Sequence, residues 1–205
     1  MRVIRAELAR VRNAHPRTQE FKWNSVRGKR RRHAYHDFAQ VFFNGPAAAF
    51  LSFKCLVVHR NNDPSSVLDS EGRNLGFYKA YHTLLKYRLE PGNRYRIRLD
   101  RRTGPRVDPE AEVADHLNKS CCGWEPPAEV LSCVGVESHT EDLVQMADLL
   151  CGAVGWAWNG RRSGPPAKVI LAQDIAASLK WKELTRETAG SATKFNVWRY
   201  RPKRK

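Results

Sequence analysis

Three carboxylates occupy positions where hard oxygen ligands would be useful. Glu20 lies in E-F-K-W beside Lys22 and Trp23, Asp100 ends the alternating run RYRIRLD, and Asp148 sits in the middle of LVQMADLLCGAVG. Phosphodiester cleavage by a divalent cation needs about two to four such ligands, brought together from separate elements to hold one or two ions. Asp148 poses the sharpest question. Residues 143–155 read as an apolar helix, and an ionised carboxylate enters an apolar face unpaired only at a cost of several kcal/mol. At helical spacing Gln145, Asp148, Gly152 and Gly155 share one stripe that is polar or very small, while Leu143, Met146, Leu150 and Val154 supply apolar surface around it. Neighbours without bulk let another element, a metal or a polymer approach the carboxylate closely. The competing explanation is a carboxylate satisfied by an arginine.

Charge points toward a polyanion. Lys and Arg number 36 against 21 Asp and Glu, a formal net charge of +15, with a pI near 10.0. Such a balance suits contact with nucleic acid, the alternative being a solvated basic face or tail. The basic residues cluster as RGKRRR at 27–32, as six arginines from Arg94 to Arg106, as Arg161–Arg162, and in the ending RYRPKRK. The expected phosphate contacts are Lys22, Arg30, Arg31, Arg96, Arg98, Arg101 and Arg102.

Other chemistries lack their patterns. Neither G-x-x-x-x-G-K-[ST] nor G-x-G-x-x-G occurs, so nucleotide cradling has no support. The five cysteines are odd in number and Cys121–Cys122 are adjacent, which fits buried free thiols better than zinc or disulfides. His33, His36 and His139 are read as surface residues, and Trp156 and Trp158 as core aromatics more than base-stacking ones. No apolar run is long enough to span a bilayer and the basic start has no signal-peptide core, so a soluble, cytoplasmic protein without membrane contact is expected.

The elements that must position these residues alternate between helix and strand. Ile4, Leu8 and Val11 share a helical face within residues 2–13, ended by Pro16. TQEFKWNSV is a short extended or turn segment, RGKRRR a polar loop or the start of a helix, and 36–43 a helix closed by Asn44-Gly45-Pro46. Residues 50–58 suggest a strand, 61–72 a turn-rich loop, 74–89 a helix, and 94–100 a strand with Tyr95, Ile97 and Leu99 on one side and arginines on the other. A helix is expected over 109–119 and a loop over 121–127. EVLSCVGV at 129–136 is apolar on both faces, as in a central strand covered by helices. Ser138 and Glu141 have the spacing of a capping box opening the Asp148 helix. A moderate helix after Ala167 and a last strand at 195–200 complete a single α/β domain, 1–205, with a basic tail at about 201–205.

The order E-F-K-W, a helix with Tyr78 and Tyr81, a strand ending in Asp100, VESHTEDLVQMADLLCGAV and FNVWRY resembles the bacterial domain-of-unknown-function 3800 family over about residues 18–200. The most specific element is Q-M-A-D-L-L-C-G-A, similar to the family's Q-L-A-D-L-x-A-G. The resemblance implies a ribonuclease H-like mixed sheet flanked by helices and a divalent-metal-dependent nuclease using magnesium or manganese. It implies Asp100 and Asp148 as metal-holding acids, with Glu20 and Lys22 as the E-x-K-W element, and all three acids as catalytic. The family opens on a strand bearing D-E-S-G, which this sequence lacks; it starts instead in a helix. A late start, a protein partner or second copy covering the exposed sheet edge, or a degenerate member are the expectations that follow. The alternative function is a non-catalytic nucleic-acid-binding or complex-assembly subunit that retains the fold.

Overall fold

The computed structural model describes residues 1–59, 74–101, 109–160 and 164–201, with the side chains of 29, 30, 74–79 and 109 left aside. The turn-rich segment expected at 61–72, Arg102, Arg106, Arg161–Arg162 and residues 202–205 of the basic tail lie outside the described residues, as does the side chain of Arg30. Among the described residues the protein is mixed α/β, with six α-helices and four strands in two small parallel sheets. The helices are α1 (Arg2–Ala14), α2 (Gly28–Phe43), α3 (Asn74–Lys86), α4 (Pro109–Cys121), α5 (Asp142–Trp158) and α6 (Pro166–Ser178). The strands are β1 (Phe53–Val57), β2 (Arg94–Asp100), β3 (Glu129–Val136) and β4 (Phe195–Arg199), paired β1 with β4 and β2 with β3. No described helix is long and apolar enough to cross a membrane. The five cysteines are thiols outside any disulfide; Cys55, Cys121 and Cys133 are buried, Cys122 and Cys151 exposed.

The chain divides into two compact units, Met1–Lys54 with Ser138–Trp198, and Cys55–Glu137 with Arg199–Lys205. In the first, the expected face of α1 is buried through Ile4, Leu8 and Val11. Helix α2 starts earlier than its apolar pattern does, at Gly28, and presents Tyr35, Phe38 and Phe42 to the core. Gly45, at φ 79°, takes the left-handed conformation that turns the chain away after α2. Three carbonyl groups around this bend converge on Lys194, whose Nζ donates to Phe42 O at 2.6 Å, Ala48 O at 2.5 Å and Leu51 O at 2.9 Å. Its ammonium also stands 4.0 Å from the Phe42 ring centroid. Burial pushes its pKa below the ordinary lysine value.

The second unit is a β-α-β arrangement. Parallel β2 and β3 pack against α4 through Ile97, Leu99, Val113, Leu117, Val130 and Cys133. Strand β2 alternates as its sequence predicts, with Arg94, Arg96, Arg98 and Asp100 exposed. Strand β3 departs from expectation. Tyr95 pairs with Val130 but Arg96 pairs with Ser132, so Leu131 is skipped. This bulge switches the parity of the strand, allowing Val130 and Cys133, three residues apart, both to face α4. Leu131 and Val134 are then left 41% and 44% exposed. The apolar character on both sides of β3 therefore reflects a bulge in a two-stranded sheet, not the double cover of a central strand.

Replacing Lys194 with Met would withdraw the shared donor from three backbone carbonyls while keeping most of the side-chain stem. The expected loss is on the order of 1–3 kcal/mol, read as a lower urea midpoint with an unchanged slope.

Candidate functional site

Two spacings match where the E-F-K-W segment meets α5. In an extended chain the amides of residues i and i+2 point the same way, about 6.7 Å apart. On a helix the side chains of i and i+3 are neighbours on one face, at about 5–6 Å. Accordingly the Phe21 amide donates to Gln145 Oε1 and the Trp23 amide to Asp148 Oδ2, each at 2.8 Å. One turn further on, Trp23 lies directly over Gly152, where an added Cβ would stand 2.2 Å from the indole Cγ. The stripe read from the sequence is thus a docking groove of two acceptors followed by a space. Gly155, the fourth member, has no neighbour within 4 Å of a built Cβ.

Gln145 is fully buried, and both ends of its amide are used. Its oxygen also accepts from Arg12 Nη2 at 3.1 Å, and its Nε2 donates to the Ser138 carbonyl at 2.8 Å. Arg12 in turn pairs with Asp142, donates to the Gln19 carbonyl at 3.1 Å, and lies 5.4 Å from the Phe21 ring centroid. Phe21 stacks on Phe38 with centroids 4.1 Å apart. The segment is therefore held by its backbone on one side and by Phe21 on the other.

The position of Asp148 differs from the sequence picture of a carboxylate sunk in an apolar face. The residue is exposed, and its Oδ2 accepts the backbone N–H of Trp23. Buried polarity on this helix belongs to Gln145. The capping box is also replaced. Ser138 begins a 3-10 turn, Ser138–Thr140, and the N-cap of α5 is Glu141, without a side-chain capping bond. The Ser138 hydroxyl instead donates to Glu20 Oε1 at 2.6 Å. Lys22 Nζ stands 3.0 Å from the same carboxylate. Burial alone pushes the Glu20 carboxyl up, but the Ser138 hydroxyl, the bond and charge of Lys22, and the charge of His139 outweigh it. The result is a pKa below the ordinary carboxylate value.

Glu20, Lys22 and Asp148 all belong to the first unit, Glu20 and Lys22 held at the turn that begins at Ser138 and Asp148 on α5. Asp100 belongs to the second unit, at the exposed end of β2 where it pairs with Val136 of β3. Arg96 and Arg98 line the exposed face of β2, while Arg94 pairs with Glu129 at 3.0 Å. Arg101 is drawn into an ion pair with Glu137 at 3.1 Å and a bond to the Gly135 carbonyl. Arg31 is exposed on the first turn of α2. Among the described residues no group of three His, Cys, Asp or Glu converges as a metal centre would require. Sequence reasoning missed Ser138 as the partner of Glu20, because its spacing to Glu141 already had a local explanation. Comparison with protein-family models, with curated proteins and with solved structures yields no match.

Two outcomes follow from this geometry. Gly152→Ala should cost about 1–3 kcal/mol by forcing Trp23 off the helix. Gly155→Ala, on the same stripe but open, should be neutral or stabilising by up to about 1 kcal/mol; paired thermal melts read the contrast. Because the Glu20 pKa is depressed in the folded state, its stabilising contribution is present above the ordinary carboxylate value and fades as pH falls through the lower folded value. Melting temperatures from neutral to acid pH should therefore fall more steeply for the parent than for Glu20→Gln.

Proposed function

We propose that the chain is a divalent-metal-dependent nuclease of ribonuclease H-like type, related to the domain-of-unknown-function 3800 family. What carries this reading is the junction of E-F-K-W with Q-x-x-D. These are two of the elements on which the resemblance rests, and they are hydrogen-bonded through Phe21 to Gln145 and Trp23 to Asp148, pairs 124 and 125 apart in sequence. Glu20 and Asp148 are hard oxygen donors, and magnesium is commonly held by only one or two carboxylates with water and substrate phosphates completing its octahedron. Each could offer a carboxylate to a magnesium or manganese ion that is bound jointly with substrate. Such an ion supplies an activated water and neutralises charge on the phosphate. Glu20 and Asp148 would hold it, Lys22 would answer the charge of Glu20 when it is absent, and the exposed arginines would bind flanking phosphates. Asp100, the strand-end acid of the resemblance, is a separate candidate in the second unit. A cytoplasmic location suits this activity.

A second reading, a nucleic-acid-binding or assembly subunit without catalysis, is favoured by one observation. Both candidate acids of the first unit already have partners, Glu20 in Ser138 and Lys22 and Asp148 in the Trp23 amide.

Cleavage of labelled DNA and RNA with magnesium or manganese tests the choice. Glu20→Gln and Asp148→Asn should each reduce cleavage by at least about a hundredfold, given that changes to the outer partners of metal ligands already cost about 10–100-fold; Asp100→Asn is read in the same assay. Substituting Arg96 and Arg98 with Gln should flatten the log–log salt dependence of binding by about 0.7–0.9 per phosphate lost. Salt-dependent binding with no metal-dependent cleavage in the parent would establish the second reading, and salt-insensitive or absent binding would sink both.

A further inference from the structure

Where α1 ends against α2, one carboxylate holds two imidazoles. His15 is the C-cap of α1, its amide bonded to the Val11 and Arg12 carbonyls at 3.0 and 3.1 Å. Its Nε2 lies 2.8 Å from Asp37 Oδ2 on α2. The other oxygen of that carboxylate, Oδ1, stands 3.4 Å from His36 Nδ1. Burial alone pushes the Asp37 carboxyl up, but the bonds and charges of the two histidines outweigh it and hold its pKa below the ordinary value. An ionised Asp37 favours an N–H on the nearer nitrogen of each ring, leaving the far nitrogen to accept or release a second proton. Nδ1 of His15 has no partner among the described residues. Nε2 of His36 lies 3.4 Å from the Gln40 amide nitrogen, itself held by Ser178 Oγ of α6 at 3.1 Å. Both histidines are half-buried and Asp37 is exposed, so the cluster is open to a ligand. A tie between two helices needs less than this. Helix α1 is already seated by Ile4, Leu8 and Val11 and by the pairing of Arg12 with Asp142. Arg32 lies one turn before His36 on the same face of α2, with no ion pair among the described residues.

We propose that His15 and His36 form an acid–base pair that cleaves RNA without a metal ion, Asp37 positioning both rings and Arg32 binding the phosphate. This site is distinct from the one at Glu20 and Asp148 and does not depend on it. RNA brings its own nucleophile, the ribose 2′-hydroxyl that DNA lacks. His15 Nδ1 takes the 2′-hydroxyl proton as the 2′-oxygen bonds to the adjacent phosphorus. The P–O5′ bond breaks, and protonated His36 gives its Nε2 proton to the departing 5′-oxygen. The products are a 2′,3′-cyclic phosphate and a 5′-hydroxyl. Water then opens the cyclic phosphate to a 3′-phosphate with the two roles reversed, which returns both imidazoles to their starting protonation.

The test is digestion of labelled RNA by the full chain in chelator, beside DNA and 2′-O-methyl RNA of the same sequence. The parent should cut only the RNA, leaving 2′,3′-cyclic or 3′-phosphate ends and 5′-hydroxyl ends. His15→Gln and His36→Gln should each lower kcat by at least about a hundredfold, the lower end of what a positioned acid or base contributes. Asp37→Asn should lower kcat with little change in KM, whereas a carboxylate that only ties α1 to α2 would shift the melting temperature alone. Arg32→Gln should raise KM, and Arg32→Lys should restore most of it. Circular dichroism and melts accompany each variant. An inert parent, cleavage of the 2′-O-methyl strand, 5′-phosphate ends, or activity that survives both histidine changes in folded protein overturns the proposal. If a histidine variant fails to fold, the ends left by the parent and the kcat of Asp37→Asn decide. Metal-dependent cleavage of DNA by a parent that leaves RNA intact in chelator would refute this site and spare the nuclease reading. Cleavage of RNA in chelator with no gain from metal would do the reverse.

Discussion

The carboxamide of Gln145 is the group on which the first unit depends. It is completely buried, and a buried amide left without partners costs about 1–3 kcal/mol for each group stranded. Here its oxygen takes the Phe21 amide and the Arg12 guanidinium, and its nitrogen reaches the Ser138 carbonyl. Three parts of the chain are thereby tied to one point on α5: the end of α1, the E-F-K-W segment and the turn before the helix. Because an extended segment and a helix repeat with different periods, only a short stretch can stay in step between them. Two bonds, at Gln145 and Asp148, are what the mismatch allows. After them the chain turns into the Trp23–Ser25 3-10 helix.

This constraint gives Asp148 a structural use that is compatible with chemistry. One carboxylate oxygen receives the Trp23 amide, which fixes the side chain's direction while the residue stays exposed. A ligand or substrate contact benefits from such orientation, since a group already ordered loses less entropy on binding. Glu20 is prepared in the same way by the Ser138 hydroxyl and Lys22. Its depressed pKa keeps it ionised, the form in which a carboxylate can attract a cation.

In the second unit the governing feature is the bulge at Leu131. By switching parity it lets β3 bury Val130 and Cys133 against α4 while β2 keeps strict alternation. The outer face of the sheet then carries Arg96 and Arg98 beside Val134. Arginines two residues apart on a strand are spaced at about 6.7 Å.

The sequence by itself determined what depends on local periodicity. The buried face of α1, the alternation of β2, the helix that carries Asp148 and the small stripe beside it all follow from residue spacing, because side-chain direction repeats every 3.6 or 2 residues. The stripe was even legible as a place of close approach. What occupied it was decided only by tertiary structure, since Phe21 and Trp23 contribute backbone amides, and every residue other than proline carries one. Nothing in a residue's type marks its amide as the partner of a side chain more than a hundred positions away. The same reason hid Ser138, whose hydroxyl satisfied a local capping pattern on paper but a distant carboxylate in space. It hid the β3 bulge too, because skipping Leu131 is a matter of register with β2, and register belongs to the pair and not to either strand.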